Sequence, residues 1–234
     1  MRDRQRALAK LTLSLRVTGL RGDGYHLLEA EMVTVDLADT LTFGPGDGVE
    51  VVGAPGLDAA EENLVRRALE AVGRKAFVRL EKRIPVGGGL GGGSADAAAV
   101  LRWANCSDPQ VAVRLGADVP FCLVGGRARV SGIGETVEVF AFQERTFTLL
   151  PYPHPVSTVA VYGAWDQLGG PTSAGPNDLE PAALTVAPQL AGWRDRLGDA
   201  TGRTPTLAGS GGTWFVEGAF PDVRGAIVTR TARP

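Results

Sequence analysis

The sequence is organised around one glycine-rich run, Pro85-Val86-Gly87-Gly88-Gly89-Leu90-Gly91-Gly92-Gly93-Ser94-Ala95-Asp96. Glycine loses more backbone entropy on ordering than any other residue, so this run is unsuited to the interior of a helix or strand. It suits a backbone that bends sharply and approaches a ligand closely. Ser94 and the alanine-rich residues 97–99 follow at once, which is typical of a helix N-terminus. We therefore predict a glycine loop that leads into a helix.

Such a loop predicts a binding site for a phosphate group. At a helix start the unpaired backbone N–H groups and the positive end of the helix dipole are directed at the same point. A charge at this position is stabilised by about 0.3–1 kcal/mol when the site is exposed.

Two common phosphate motifs fit the run poorly. A P-loop requires a lysine directly before its serine or threonine, and Gly93 precedes Ser94 instead. The dinucleotide pattern is matched by Gly87, Gly89 and Gly92, but a run so rich in glycine satisfies many spacings by chance. A flexible linker is the third interpretation, and the apolar Leu90 within the run, together with the helix that follows, argues against it.

Composition narrows the class of protein. The chain has 234 residues, 44% hydrophobic residues and a net charge of −2, which argues against disorder and against a nucleic-acid or membrane surface. Its charged N-terminal residues are not followed by a signal-peptide core. The two cysteines are expected to be reduced, and two histidines support neither a histidine metal site nor a Ser-His-Asp triad. We expect a cytoplasmic protein and assign no metal-ligating residues.

Hydrophobic periodicity predicts the elements before the loop. Leu11, Leu13, Leu15 and Val17 alternate with polar residues, which indicates a half-buried strand that Lys10 begins. A turn over residues 19–24 follows. Further strand pieces are predicted at 33–35, 40–43, 49–52 and 77–82. Residues 61–72 carry a helical stripe, which Gly73 closes.

Beyond the loop the pattern predicts the remaining elements of a first structural unit and then a second unit. A helix is expected from Ser94 to Trp103, then a short helix over 109–115 and a hairpin over 127–142. The pattern restarts at Thr146, with strands at 147–151, 214–217 and 226–230, helical segments over 159–168 and 179–197 (the latter broken near Pro181 and Pro188), and a second glycine turn over 206–212. We predict an α+β fold of two lobes, 1–145 and 146–234.

Several local motifs occur in a set order: Ala9-Lys10-Leu11, Asp23-Gly24-Tyr25-His26, the glycine loop, Leu115-Gly116-Ala117-Asp118-Val119-Pro120-Phe121, and Leu207-Ala208-Gly209-Ser210-Gly211-Gly212-Thr213. Together they resemble the GHMP kinases, which include galactokinase, homoserine kinase and mevalonate kinase. The second and fourth motifs resemble most the branch that phosphorylates the 2-hydroxyl of a cytidine diphosphate-linked methylerythritol in non-mevalonate isoprenoid synthesis.

The resemblance implies a two-lobed kinase with its active site between the lobes, acting with ATP and Mg²⁺. It implies that Asp118 takes the proton of the substrate hydroxyl and that Lys10 assists at the transferring phosphoryl group. The residues implied to bind ATP are Asn63, Pro85, Gly87, Gly88, Gly89, Leu90, Gly91, Gly92, Gly93 and Ser94. Those implied to bind the second substrate are Thr12, Tyr25, His26, Tyr162, Gly209, Ser210 and Gly211, with Tyr25, His26 and Tyr162 around the cytosine.

Four of these residues also have a purely structural interpretation. Asp118 could be only a helix N-cap, Lys10 a solvated lysine at a strand end, and Tyr25 and His26 packing beside a turn. The chain also departs from the family pattern at Thr12, where asparagine is usual, and at Ala208, where serine or threonine is usual. Two alternatives to the cytidine-linked substrate therefore stay open. One is a homoserine- or mevalonate-type kinase, and the other is a non-catalytic nucleotide-binding relative.

Overall fold

Two β-sheets divide the described strands between them. The computed structural model describes residues 3–54 and 63–233. The first sheet contains β1 (Asp3–Leu20), β2 (His26–Gly44), β3 (Gly48–Val52), β4 (Phe77–Glu81), β5 (Arg127–Gly132) and β6 (Thr136–Phe140). The second contains β7 (Thr146–Pro151), β8 (Thr206–Leu207), β9 (Thr213–Glu217) and β10 (Ile227–Arg230). The helices are α1 (Leu64–Ala71), α2 (Gly92–Trp103), α3 (Pro109–Leu115), α4 (Val119–Val124), α5 (Thr158–Gln167), α6 (Glu180–Val186) and α7 (Leu190–Thr201). This arrangement confirms the predicted α+β class.

Strand β2 is the centre of the first sheet. One of its edges pairs antiparallel with β1, and the other edge pairs with β5 near its start and with β4 near its end. The strand pieces predicted at 33–35 and 40–43 are both confirmed as strand, but they belong to one strand that is continuous over 19 residues. The polar residues Asp36 and Asp39 do not interrupt it, since each accepts hydrogen bonds from backbone N–H groups of another segment. Strand β1 likewise extends beyond the predicted 11–17 at both ends.

Helix α2 joins the glycine loop to the core. It begins at Gly92, two residues before the predicted start, because Gly91 adopts a left-handed conformation (φ 68°) at the N-cap position. Its alanines at 95 and 97–99 are fully or almost fully buried. Small side chains let a helix approach a sheet closely, and α2 packs against β1. The end of the loop that leads into α2 is therefore held against the first sheet.

Most of the remaining predictions are confirmed, with two corrections, at α4 and at Pro181. Asn63 caps α1 through its side-chain oxygen (2.9 Å to the N–H of Val65), while the predicted start of this helix at 61–62 lies outside the described residues. Helix α4 was not predicted. Pro181 lies in the first turn of α6 and does not break a helix, because proline is tolerated where no N–H donor is needed. The break near Pro188 is confirmed by the gap between α6 and α7.

The two units are connected through β1. The N–H of Leu15 donates to the carbonyl of Pro176 (2.8 Å), and the N–H of Asp178 donates to the carbonyl of Leu15 (3.0 Å). The Arg16 guanidinium forms an ion pair with Asp178 (2.7 Å). These contacts fix the segment before α6 on the strand that carries Lys10. Among the described helices, none has the length and apolar character needed to cross a membrane.

Candidate active site

A cavity of about 1010 Å³ lies where the glycine loop, β1 and α5 meet. It brings together predicted residues from across the chain, namely Lys10, Thr12, Tyr25, His26, Asn63, Pro85, Gly87, Gly88, Gly89, Leu90, Gly91, Gly92, Gly93, Ser94, Asp118, Tyr162, Gly209 and Ser210. Gly211 is the exception, since it is buried behind the cavity wall. The volume is at the upper end of the range for small-molecule sites, as a site for two substrates requires.

Lys10 and Asp118 face each other inside this cavity. The Lys10 ammonium lies 3.4 Å from the Asp118 carboxylate and donates to the Thr12 hydroxyl at 3.0 Å. Lys10 is only 5% exposed, so it is not a solvated lysine at a strand end. Thr12 thus keeps a polar group beside the lysine although asparagine is more usual in the family.

Asp118 stands at the N-cap position of α4 but makes no side-chain capping hydrogen bond. Its carboxylate is one-third exposed and is directed to Lys10. The purely structural interpretation of Asp118 therefore has no supporting contact. A carboxylate beside a buried ammonium in a cavity is suited to accepting or orienting a proton.

The glycine loop packs against Lys10 and against the second glycine turn. The carbonyl of Leu90 accepts a hydrogen bond from the N–H of Lys10 at 3.1 Å. A Cβ atom at Gly91 would lie 2.7 Å from Cγ of Lys10, and one at Gly89 would collide with the carbonyl oxygens of Ala208 and Gly211. Both glycines also have positive φ angles. Glycine is thus required at these two positions for the loop to contact Lys10 and the second glycine turn.

A buried charge cluster behind the loop was missed in the sequence. The Lys82 ammonium lies 2.5 Å from one oxygen of Asp39 and 2.6 Å from one oxygen of Asp96. The other Asp39 oxygen accepts the N–H groups of Arg83 and Ile84, which lead into the loop. Two features of the sequence could have revealed this cluster. Asp96 is the one acidic residue of α2, and Lys82 lies shortly before the glycine loop.

The cluster carries two carboxylates for one ammonium. Burial raises the pKa of Asp96 to about 7, although the attraction of Lys82 opposes the shift. Burial disfavours the charge of Lys82, but the neighbouring Asp96 and Asp39 outweigh this effect and raise its pKa. The second oxygen of Asp96 is buried and has no hydrogen-bond partner among the described residues. Asp96 and Lys82 both border the cavity.

Aromatic side chains form the other end of the cavity. The His26 ring stacks on Tyr162 (centroids 4.8 Å apart) and meets Trp165 edge-on (5.5 Å). Its Nε2 atom lies 2.8 Å from the Asp166 carboxylate. Tyr25 is 59% exposed at the rim. Burial, and to a lesser degree Asp118, raises the pKa of Tyr162 to about 12, so its hydroxyl is neutral at physiological pH. Trp165 and Asp166 were not predicted.

The second glycine turn is held by polar contacts from the second unit. The Asn177 side chain donates to the carbonyls of Leu207 (2.9 Å) and Gly209 (2.7 Å). The Ser210 hydroxyl pairs with that of Thr158, at the start of α5, at 2.8 Å. Asn177 is a supporting residue that the sequence did not reveal, because a single asparagine after a proline is typical of an ordinary loop.

Metal-ligating groups are sparse in this region. Across residues 3–54 and 63–233, no group of three or more His, Cys, Asp or Glu side chains is placed to hold a metal ion. Cys106 and Cys122 are both free thiols, and burial raises the pKa of Cys122 above its ordinary value.

The comparisons with known proteins agree with this geometry. The family model for the GHMP kinases N terminal domain matches residues 63–126. The 4-diphosphocytidyl-2-C-methyl-D-erythritol kinase of Paracoccus denitrificans is 40% identical, and the match covers 91% of this chain and 85% of that protein. The protein of that name from Pelotomaculum thermopropionicum is 36% identical over 97% of each chain.

The solved structures extend this result to the fold. A crystal structure of 4-(cytidine 5'-diphospho)-2C-methyl-D-erythritol kinase matches with a TM-score of 0.76 and 30% identity, covering 99% of this chain and 100% of that one. A mevalonate kinase structure matches with a TM-score of 0.59 at 11% identity, covering 98% of each chain, which shows a shared fold only. With the Lys10–Asp118 pair, the glycine loop and these identities in place, the chain belongs to the 4-diphosphocytidyl-2-C-methyl-D-erythritol kinase family of GHMP kinases.

Proposed function

We propose that this protein transfers the γ-phosphoryl group of ATP to the 2-hydroxyl of 4-diphosphocytidyl-2-C-methyl-D-erythritol. The observation that carries the proposal is the Lys10–Asp118 pair, which lies 3.4 Å apart beside the glycine loop in a cavity large enough for two substrates. The family assignment supplies the substrate class, because both curated relatives described above bear that activity in their names.

The reaction follows from the placement of these groups. The substrate hydroxyl oxygen attacks the γ-phosphorus, its proton passes to the Asp118 carboxylate, and the bond from the γ-phosphorus to the ADP oxygen breaks. Lys10 neutralises charge on the transferring group. Its ammonium is buried and already held by Thr12, so little reorganisation is needed. Phosphoryl transfer depends mainly on such positioning and charge neutralisation.

ATP is proposed to lie along the glycine loop, with Asn63 near the adenine. The first-turn N–H groups of α2, at Gly92–Ser94, line the cavity and suit the phosphates. We propose that residues 1–145 form the ATP-binding lobe and residues 146–234 the second lobe.

Magnesium is proposed to enter with the nucleotide. Mg²⁺ prefers oxygen ligands and is commonly held by one or two carboxylates together with substrate phosphates, without a cage of protein ligands. The Ser94 hydroxyl borders the cavity beside the loop proposed to hold the phosphates and could supply one such oxygen ligand. The ion would neutralise phosphate charge there. The two free thiols agree with a reducing compartment, and we propose that the protein acts in the cytoplasm.

One coupled assay for ADP release tests the proposal across candidate acceptors. Purified protein with ATP and Mg²⁺ should release ADP with 4-diphosphocytidyl-2-C-methyl-D-erythritol and only at background rate with homoserine or mevalonate. Turnover with either of those acids would move the assignment to another GHMP activity. ATP binding without turnover on any acceptor would favour a non-catalytic nucleotide-binding protein.

A further inference from the structure

On the basis of the cytidine-linked substrate proposed above, we infer that Asp166 sets the tautomer of His26, so that His26 Nδ1 accepts a hydrogen bond from the 4-amino group of cytosine. Asp166 is a positioning residue, because it acts through His26. It makes the site select a cytosine base over a uracil base.

The first step concerns the proton of the imidazole ring. Asp166 Oδ1 lies 2.8 Å from His26 Nε2, and a carboxylate can only accept a hydrogen bond. Nε2 must therefore carry the proton. A neutral imidazole has one donor and one acceptor, so Nδ1 is left as the acceptor.

The second step concerns the position of the ring. Tyr162 stacks on one face of His26 and the edge of Trp165 meets it, so both its plane and its rotation are restricted. The residues that hold the ring, Tyr162 and Asp166, lie one helical turn apart on α5. Among the described residues, Asp166 alone forms a hydrogen bond with the imidazole. His26, Tyr162 and Asp166 all border the cavity.

The third step concerns the base. Cytosine presents a 4-amino donor where uracil-type bases present an O4 acceptor. A fixed Nδ1 acceptor can accept a hydrogen bond from the 4-amino group of cytosine, whereas it repels the O4 acceptor of a uracil-type base. Stacking on an aromatic ring tolerates any base, so the selection must come from this polar contact.

The test compares Asp166→Ala and Asp166→Asn with Asp199→Ala, an exposed aspartate on α7 away from the cavity. Competition titrations with CMP and UMP should show a cytidine preference in the wild-type protein. In Asp166→Ala this preference should fall about five- to tenfold, the equivalent of one neutral hydrogen bond. Affinity for ATP, which is proposed to bind at the glycine loop, should not change. The Asp166→Asn amide can either accept from or donate to Nε2, so this variant should also lose part of the preference, whereas Asp199→Ala should retain all of it.

Long-range ¹H–¹⁵N NMR reads the tautomer directly. The chain has two histidines, so His154→Gln leaves His26 as the sole imidazole. At about pH 8 the spectrum should show a proton on Nε2 of the neutral imidazole, and Asp166→Ala should give a tautomer mixture. A proton on Nδ1 in the parent protein, or an undiminished cytidine preference in Asp166→Ala, overturns the role of Asp166 alone. Equal binding of CMP and UMP by the wild-type protein overturns both this role and the proposed substrate.

Discussion

The backbone N–H of Lys10 donates a hydrogen bond to the carbonyl of Leu90 at 3.1 Å. Lys10 lies within the first strand and Leu90 at the middle of the glycine loop, so this bond connects the proposed catalytic lysine to the proposed phosphate-binding segment. The Lys10 side chain runs past Gly91 and reaches Asp118. The loop, the lysine and the carboxylate thus form one unit, and substitutions within it should affect binding and turnover in distinguishable ways.

Replacing Asp118 should remove turnover with little change in nucleotide binding. Asp118→Asn keeps the shape of the side chain, and no capping hydrogen bond is lost from α4. The amide cannot take a proton, so kcat should fall about 10²- to 10⁴-fold. ADP release measures turnover, and calorimetric titration measures ATP affinity. Asp108→Asn, at the N-cap of α3, is the matched control and should stay active. Normal turnover in a folded Asp118→Asn variant would remove Asp118 from the mechanism.

Replacing Lys10 should likewise reduce turnover more than binding. Lys10→Met retains most of the buried aliphatic stem but loses the charge that stabilises the transferring phosphoryl group. We expect a loss of at least about 10²-fold in kcat, and thermal denaturation should show a folded protein. Thr12→Val removes only the hydroxyl that accepts from Lys10 and should cost much less activity. Loss of stability alone, with turnover intact, would show that Lys10 is structural.

Substitution within the glycine loop should weaken nucleotide binding. Gly91→Val places a side chain 2.7 Å from Lys10 Cγ at a positive φ, so the loop must move. Gly73→Val is a matched control, because Gly73 has a similar φ (62°) and no heavy atom within 4 Å of its Cβ position. Both variants should lose about 1–2 kcal/mol of stability, because valine is strained at a positive φ. Weakened ATP binding is expected for Gly91→Val only, and equal ATP affinities in the two variants would argue against the loop as the nucleotide site.

The buried cluster predicts a pH dependence of stability. The pKa of Asp96 is about 7 in the folded protein against an ordinary 3.8, so the folded state holds a proton that the unfolded state releases. Stability should therefore be lost as pH rises from about 4 towards 7. Urea denaturation should show that Asp96→Asn loses less stability over this window, by about 1–3 kcal/mol. Asp199→Asn should follow the wild-type curve, and parallel curves for Asp96→Asn would disprove the shifted pKa.

At the aromatic end of the cavity, we expect Tyr25 to contribute affinity for any base and His26 to contribute selectivity for cytosine. Tyr25 is exposed at the rim, and stacking on its ring is worth about 1–3 kcal/mol for any base. Tyr25→Ala should weaken CMP and UMP binding alike, whereas His26→Ala should erode the preference for CMP. Competition titrations measure both effects. If Tyr25→Ala lost CMP binding selectively, base selection would have to be assigned to Tyr25 and not to His26.

The elements near the glycine loop could be predicted because their signals are local. Six glycines in seven positions can be accommodated only in a loop, and the alternation through Leu11 and Val17 indicates a half-buried strand. The predicted boundaries of strands and helices were less accurate where contacts with other segments of the chain determine them. Strand β2 continues through Asp36 and Asp39, whose carboxylates pair with backbone N–H groups from distant segments. Helix α2 starts early because the conformation of Gly91 permits it.

Taken alone, the sequence determined the fold class and the phosphate-type loop, because these depend on residue type and spacing, which are properties of the chain itself. The resemblance of its motifs to the GHMP kinases made Lys10 and Asp118 candidate catalytic residues. Only the tertiary structure decided which charges meet, including Lys82 with Asp39 and Asp96, and His26 with Asp166. The physical reason is that an ion pair or hydrogen bond depends on distance in space, and segments far apart in the chain come within 3 Å only after the strands and helices have packed.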